Sequence, residues 1–407
     1  MIARERGKLA VFTLIVLTFT GNVWAGPKFK VLHAFGVGKD GGGLYGSLAV
    51  DPNGNLYGVA RGGGNYDSGA VFELTPDSTG HWSETILHSF NCHTESCLPE
   101  SGLTFNAAGS LYGMTSSGLG GVFELRRGSH DWSLIALHDR GQSANLILDQ
   151  TGDLYGPMAA VGQYGLGAIS ELVRDKGWKE SWIYSFCSDE NQKGLCLDGW
   201  NASAGVTWGP GGTLYGTTLY GGDSSYCGNV GCGVVYELKP KKIGSWKQTV
   251  LHSFPAFNGD GSVLYAGVVL DKSGNVYGAT YHGGSIDCGV IFKLTRKANG
   301  TWDETILKDF ANTAQGCSAN TLTFDAKGNL WGTAQGGTGC KDGGCGVVFK
   351  MTPGAKGKWN YSVVHAFDDS DGDIPAAAVI FDKKGNLYGT TELGGAGGFG
   401  VVFEITP

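Results

Sequence analysis

The clearest structural pattern in the chain is FDKKGNLYGTTELGG at residues 381–395, followed by VFEITP at residues 402–407. A polar Asp-x-x-Gly-Asn turn between two short apolar runs predicts a β-hairpin. The β-branched and aromatic run that follows the glycine-rich loop predicts a third antiparallel strand. The stretch therefore indicates a small antiparallel sheet in an all-β protein.

The Leu-Tyr-Gly triplet of this stretch recurs, with Val or Trp replacing one residue in two copies. The seven copies lie at residues 56–58, 111–113, 154–156, 214–216, 276–278, 330–332 and 387–389. A fourth run, present six times, carries a tryptophan six residues before a second fixed position, as Trp82 precedes His88. Each repeat thus predicts four short strands, labelled A to D in chain order, which is the size of one β-propeller blade.

The two ends of the chain predict how the ring closes. Residues 30–35 form a lone D-type strand, and the sequence reaches Pro407 after a C-type strand. If the N-terminal strand completes the last blade, the chain forms a seven-bladed β-propeller of four-stranded antiparallel blades with no unpaired radial edge. An open solenoid is the alternative, and it would leave both end strands without partners.

Composition excludes several classes of protein. The 407 residues include 71 glycines, 41% are hydrophobic and 16% are charged, which favours a folded globular chain over a disordered one. The formal net charge of −7 makes nucleic acid an unexpected partner.

The first 25 residues have the pattern of a signal peptide. Three basic residues precede an apolar run, and small residues mark a cleavage site before Gly26. A retained membrane anchor is the alternative, although the apolar run is short for a span, and no later segment could cross a bilayer. We expect a secreted or periplasmic protein with one mature domain at residues 26–407.

Ten cysteines in an exported chain favour disulfides over catalytic thiols or zinc ligands. Four couples are close in sequence, and elimination leaves one longer pair. The expected bridges are Cys92 with Cys97, Cys187 with Cys196, Cys227 with Cys232, Cys340 with Cys345, and Cys288 with Cys317. Zinc binding by the four local couples is the alternative.

These motifs together resemble the bacterial extracellular tandem repeats called GloVer repeats. The resemblance covers residues 28–407 and is fullest at residues 381–395. It implies the fold and the extracellular location and no particular activity. The chain is also similar, more loosely, to kelch repeats, but copper chemistry is not expected because every cysteine has an expected disulfide partner.

Residues that repeat in every blade are best explained by packing between blades. The histidine column includes His33, His88, His138, His252 and His365, which are spread around the ring and cannot converge on one metal ion. The charged column of strand C, which includes Glu73 and Lys293, is likewise expected to be a feature of the blade interfaces or edges rather than a set of paired catalytic carboxylates.

Residues that vary from blade to blade predict the functional face. The D-to-A and B-to-C loops should emerge on one side of the ring, and they carry all ten cysteines. The position three residues after each triplet changes in every blade: Arg61, Ser116, Ala159, Leu219, Tyr281, Gln335 and Glu392. With neighbouring loop residues, the candidate ligand-binding set is Arg61, Tyr66, Asp67, Trp200, Tyr220, Tyr226, Tyr281, His282, Gln335 and Glu392.

Aromatic rings beside carboxylates and amides suit a carbohydrate, because sugar C–H faces stack on rings and sugar hydroxyls accept and donate hydrogen bonds. Ordinary loop composition in a chain with 11% aromatic residues is the alternative. No catalytic motif stands out. Loop acids such as Glu95 with Glu100, or Asp67 with Glu392, could still act as the acid and base of a glycosidase or lyase.

An acidic run offers one candidate metal site. Asp369, Asp371 and Asp373 could supply oxygens to calcium, although the run departs from the EF-hand pattern. A simple Asp-Gly turn is the alternative, and no cofactor is required. The leading hypothesis is a binding module for a carbohydrate or cell-envelope polymer, with a carbohydrate-active enzyme and a protein-interaction scaffold as alternatives.

Overall fold

The computed structural model of the protein describes residues 26–406 except 37, 118–120, 130, 140–143, 159, 176, 224–225, 243, 256–258, 339 and 341–343. The predicted signal peptide at residues 1–25 and the variable residue Ala159 lie outside the described residues. The strands form seven antiparallel blades of a β-propeller, each in the order A-B-C-D, which confirms the predicted fold.

Every blade contains one strand of each type, A, B, C and D. In that order they are Ala49–Val50, Leu56–Ala60, Ala70–Pro76 and Trp82–Ser89 in blade 1; Thr104–Phe105, Leu111–Ser117, Gly121–Arg127 and Trp132–His138 in blade 2; Ile147–Leu148, Leu154–Met158, Ala168–Arg174 and Trp178–Ser185 in blade 3; Thr207–Trp208, Leu214–Thr218, Val234–Pro240 and Trp246–Ser253 in blade 4; Val269–Leu270, Val276–Ala279, Val290–Arg296 and Trp302–Asp309 in blade 5; Thr323–Phe324, Leu330–Gln335, Val347–Pro353 and Trp359–Ala366 in blade 6; and Ile380–Phe381, Leu387–Thr390, Val401–Thr406 and Lys28–Ala34 in blade 7.

Short extra elements lie in the connections between these strands. The extra strands are Cys97–Pro99, Gly261–Ser262, His282–Gly283 and Cys317–Ala319. The short helical turns among the described residues are Pro210–Gly212, Tyr226–Asn229, Thr313–Gln315 and Ala355–Gly357. No helix in the described part of the chain is long and apolar enough to span a membrane.

The N-terminal strand closes the ring. Lys28–Ala34 pairs antiparallel with strand C of blade 7, from Lys28 opposite Thr406 to Ala34 opposite Val401. This pairing confirms the predicted closure, and the open solenoid is wrong.

The hydrophobic core is divided among the blade interfaces. Each of the seven clusters of buried side chains joins two adjacent blades, including the interface of blade 7 with blade 1. The triplet glycine allows this packing, because a Cβ on Gly58 would lie 2.4 Å from the Phe72 ring. What repeats in every blade therefore serves the packing of the ring.

The charged column of strand C contacts the ring of the triplet on the neighbouring strand B of its own blade, rather than a residue of the next blade as expected. Tyr57 donates a 2.7 Å hydrogen bond to Glu73. In blade 5 the column residue is Lys293, whose ammonium lies 5.5 Å from the Tyr277 ring centroid, and the Tyr277 hydroxyl donates instead to Asp271 at 3.0 Å. The blade 6 pair of Lys350 and Trp331 follows the blade 5 pattern, with Trp331 donating to Asp325.

A β-bulge recurs in strand D of every blade, immediately before the histidine column. In blade 1, Phe72 pairs with Ile86 and Val71 pairs with His88, so Leu87 is the extra residue. The same shift occurs in the other six blades. A bulge changes the direction of the side chain that follows it. The column residue therefore does not point to the face that regular alternation along strand D would give it.

The D-to-A and B-to-C loops lie on one face, which we call the loop face, as predicted. Backbone pairing joins the two loop classes within a blade, as between Trp200 and Tyr220 or Asp373 and Leu393. All five predicted disulfides are present and lie in these loops. The zinc alternative for the local couples is therefore wrong, and the bridges fit a chain that folds in an oxidising compartment.

Candidate functional site

The axis of the ring is a narrow channel. A cavity of about 120 Å³ is lined by residues from all seven blades, most of them just before strand A. They include Ser47, Asn145, Gly205, Gly267, Thr321 and Ala377. Most side chains at these positions are small, which keeps the axis open. The volume of the channel is nevertheless too small for a large ligand.

A larger cavity of about 950 Å³ opens on the loop face over blades 7 and 1, and we call it the loop-face cavity. Four residues predicted from the sequence line it together: Arg61, Tyr66, Asp67 and Glu392. Glycines of the two loops form much of its floor, and the exposed rings of Tyr66 and Phe399 form part of its wall. Its volume is in the range of small-molecule sites.

A polar network connects the loop-face cavity to the channel. Tyr45 lines both and donates a hydrogen bond to Glu392. Arg61 donates to Glu100 at 2.5 Å, and its guanidinium carbon lies 5.8 Å from the Tyr45 ring centroid. Burial, with the hydrogen bond to Glu392, raises the pKa of Tyr45 to about 12, so the phenol stays a hydrogen-bond donor at neutral pH.

The acid pairs suggested by the sequence have separate partners. Glu95 accepts from His88 at 2.9 Å, whereas Glu100 accepts from Arg61. Asp67 shares the loop-face cavity with Glu392, but its carboxylate accepts the Gly63 N–H at 3.0 Å and fixes its own loop.

A row of aromatic rings crosses blades 4 and 5 on the loop face, and we call it the aromatic arc: Trp200, Tyr220, Tyr265 and Tyr281. The Trp200 and Tyr220 ring centroids are 4.6 Å apart, and those of Tyr265 and Tyr281 are 5.2 Å apart. Burial raises the pKa of Tyr265, and the neighbouring phenols of Tyr220 and Tyr281 raise it further.

The arc extends to blade 6 and to the channel. Tyr281 donates to Gln335 at 3.3 Å, and the His282 ring lies 4.9 Å from the Tyr281 ring. Tyr265 is 54% exposed and lines the channel cavity.

Tyr45 and Tyr265 belong to these groups but were not predicted from the sequence, because they precede strand A rather than follow strand B. Both lie four residues before strand A of their blades. Most of the other blades have serine or alanine at this position, as Ser203 and Ala376 show. An aromatic residue at a position of small residues is the signal that could have found them.

Tyr226 and the acidic run lie apart from these groups. Tyr226 is exposed in the helical turn Tyr226–Asn229 beside the Cys227–Cys232 bridge. The structure does not bring the three aspartates of the run together as a metal-binding group among the described residues. Asp371 accepts from His365 at 2.8 Å, and the Asp373 backbone pairs with Leu393.

Two other groups have the donor atoms of a metal site. In each, a column histidine meets a carboxylate of its own D-to-A loop and a glutamate of the next blade. His33 Nε2 lies 3.1 Å from Asp40 and 3.9 Å from Glu84. Burial, together with the hydrogen bond to Asp40, raises the pKa of Glu84 to about 9.

The second group repeats the first at the interface of blades 4 and 5. His252 Nε2 lies 3.2 Å from Asp260 and 3.5 Å from Glu304. Burial raises the pKa of Glu304 to about 7, and the positive charge of His252 opposes that rise. The column histidines His33 and His252 thus contact a glutamate of the next blade.

Fold and site together define a disulfide-bridged seven-bladed propeller with a polar cavity and an aromatic arc at the mouth of its channel. Residues 224–407 match the family model described as the Gloeobacter/Verrucomicrobia repeat, which confirms the resemblance predicted from the sequence over that part of the chain. No curated protein sequence matches the chain.

Several solved structures are similar to the chain at low sequence identity. An ancestral GH74 enzyme is 12% identical with a TM-score of 0.58, and the match covers 90% of this chain and 48% of that one. A gluconolactonase from Xanthomonas campestris is 12% identical with a TM-score of 0.43, covering 76% and 86%. A luciferin-regenerating enzyme is 14% identical with a TM-score of 0.42, covering 94% and 96%. This chain spans about half the length of the GH74 enzyme, and that likeness supports the fold alone.

Proposed function

We propose that the protein is a secreted or periplasmic binding module that holds a carbohydrate or cell-envelope polymer on its loop face, without chemistry of its own. The observation that supports it is the aromatic arc, which lies across the channel mouth from the loop-face cavity. Stacked and exposed rings give a sugar its apolar contacts.

The loop-face cavity supplies the complementary polar contacts. Arg61 presents guanidinium donors and Glu392 presents carboxylate acceptors, and Tyr45 and Glu100 hold both in place. Sugar hydroxyls both donate and accept, so such a mixed set suits them. A polymer chain lying across the channel mouth would contact the aromatic arc with one sugar unit and the loop-face cavity with another.

The test is retention of the oxidised mature protein on an array of microbial and plant polysaccharides. We expect retention on one polymer class, and we expect Tyr281→Ala to weaken it about tenfold, which corresponds to about 1.4 kcal/mol. Trp182→Ala is the matched control, because Trp182 is an exposed ring on strand D, away from the loop face.

Two outcomes would overturn the proposal. No retention on any polymer would favour a protein partner. A shortened polymer, detected as new reducing or unsaturated ends, would favour the carbohydrate-active enzyme, whose candidate acids are Asp67 and Glu392 in the shared cavity.

A further inference from the structure

The two histidine and carboxylate groups between blades suggest a role that ring packing does not explain. Each joins three elements: the column histidine after the bulge of strand D, the following D-to-A loop, and strand D of the next blade. The first group is His33, Asp40 and Glu84, and the second is His252, Asp260 and Glu304. Their three ligand atoms lie within 4.8 Å of one another in both groups.

Both groups hold more acidic side chains than basic ones. Each has two carboxyl groups and one imidazole, and all of these side chains are largely shielded from solvent. In addition, Glu84 Oε1 and Glu304 Oε1 are buried and have no hydrogen-bond partner among the described residues. A buried carboxylate oxygen without a partner is costly. The oxygens that face the histidines are the Oε2 atoms, so a cation held by both oxygens of the glutamate would also satisfy Oε1.

The distances suit a metal ion. Zinc binds histidine nitrogen and carboxylate oxygen at about 2.0 to 2.2 Å, so two ligand atoms on a tetrahedral ion lie about 3.4 Å apart. The distances from the histidine nitrogen to the two carboxylates are 3.1 and 3.9 Å in the first group and 3.2 and 3.5 Å in the second. One nitrogen and two oxygens are also a donor set that divalent transition metals accept.

The other blade interfaces provide an internal comparison. The position four residues before the column, which supplies Glu84 and Glu304, is Leu134 in blade 2 and Phe29 in blade 7. His365 therefore stacks on the Phe29 ring at 3.6 Å. His138 Nε2 meets Glu180 at 3.1 Å, but the loop carboxylate Asp139 is on the other ring nitrogen, at 3.8 Å. Among the described residues, all three ligands converge only in the two groups.

We propose that each group binds one divalent transition-metal ion, with Zn²⁺ as the probe, and that the ion fastens two neighbouring blades together. The protein then carries two ions per chain, at the interfaces of blades 7 and 1 and of blades 4 and 5. The column histidine supplies the nitrogen, and the loop carboxylate and the glutamate of the next blade supply the oxygens.

The experiment is equilibrium dialysis of the chelator-treated, oxidised protein against Zn²⁺, followed by elemental analysis. We expect two zinc ions per chain for the wild type, one for Glu84→Gln, one for Glu304→Gln and none for the double variant. Glu180→Gln is the matched control, because Glu180 also meets a column histidine but belongs to neither group, and it should keep two ions.

A second measurement protects the test against unfolding of a variant. Zinc should raise the melting temperature of the wild type, because a ligand that binds only the folded state stabilises it. Asp40→Asn should remove one ion and part of that rise. Absence of bound zinc in the wild type, or two ions retained in the Glu84→Gln and Glu304→Gln double variant, would overturn the proposal.

Discussion

Among single residues, the strand C column holds Glu in five blades and Lys in two, and either residue can contact the ring of the triplet. A column glutamate accepts the phenol proton, as Glu73 does from Tyr57 and Glu171 does from Tyr155. A column lysine lies over the ring face, and the ring's polar atom turns to the aspartate of the A-to-B turn. A glutamate that accepts a hydrogen bond and a lysine above the ring face thus both hold the triplet ring against strand C.

Removing one of these phenols tests the structural role of the column. Tyr57→Phe removes one hydrogen bond to Glu73 and leaves Asn55 as its remaining donor. The ring of residue 57 is only 1% exposed, so water cannot easily replace the lost hydroxyl. We expect the free energy of unfolding in urea to fall by about 1 to 2 kcal/mol, because a half-buried acceptor loses one of its two donors. Tyr164→Phe, on a ring that is 47% exposed, is the control and should change nothing. Equal effects of the two substitutions would contradict this role.

A candidate site residue can be predicted from the sequence where its repeat position holds a different residue in each blade while the neighbouring positions stay constant. Arg61 and Glu392 vary against a fixed frame, and the structure places both in one cavity. Partners from the neighbouring blade cannot be predicted in this way, because no pattern within one repeat links His33 to Glu84, 51 positions later. The acidic run remains a prediction, and in the structure Asp371 accepts from His365 whereas the Asp373 backbone pairs with Leu393.

At the element scale, the disulfides differ in what they join. Cys92 and Cys97 are five residues apart in one loop, whereas Cys288 and Cys317 are 29 apart. The longer bridge ties the B-to-C loop of blade 5 to the strand Cys317–Ala319, which pairs with strand B of blade 6. The Cys288–Cys317 bridge therefore connects two blades as well as two loops.

Replacing each bridge by serines measures this difference. In the chain-entropy model, loss of the long bridge should lower the free energy of unfolding by about 3.5 kcal/mol and loss of the short one by about 2 kcal/mol. The variants are Cys288→Ser with Cys317→Ser, and Cys92→Ser with Cys97→Ser, compared by urea unfolding without reductant. If the two double variants lose the same free energy, the long bridge adds no restraint between blades.

At the scale of the whole molecule, stability is shared among seven equivalent interfaces, so opening one of them exposes two blades at once. The strand Lys28–Ala34 and the residue after it hold the interface of blades 7 and 1. Leu32 and Phe35 are both buried there, and the Phe35 ring packs 4.9 Å from Phe72. The regular D strands of the other blades arrive by a short turn from strand C, so only blade 7 depends on a strand from the far end of the chain.

A circular permutant tests whether blade 7 needs the contacts of strand Lys28–Ala34 or the position of that strand at the start of the chain. Deleting residues 26–36 should lower the free energy of unfolding by at least about 4 kcal/mol, since two large buried side chains and a ladder of backbone hydrogen bonds are lost. Moving the same residues behind residue 407, through a turn copied from residues 77–81, should restore most of it, because blade 7 is then completed like the others. The same permutant with Leu32→Ala and Phe35→Ala keeps the strand without its core contacts and should melt close to the deletion variant. A deletion variant that melts with the wild type would show that the ring is not held closed by this strand.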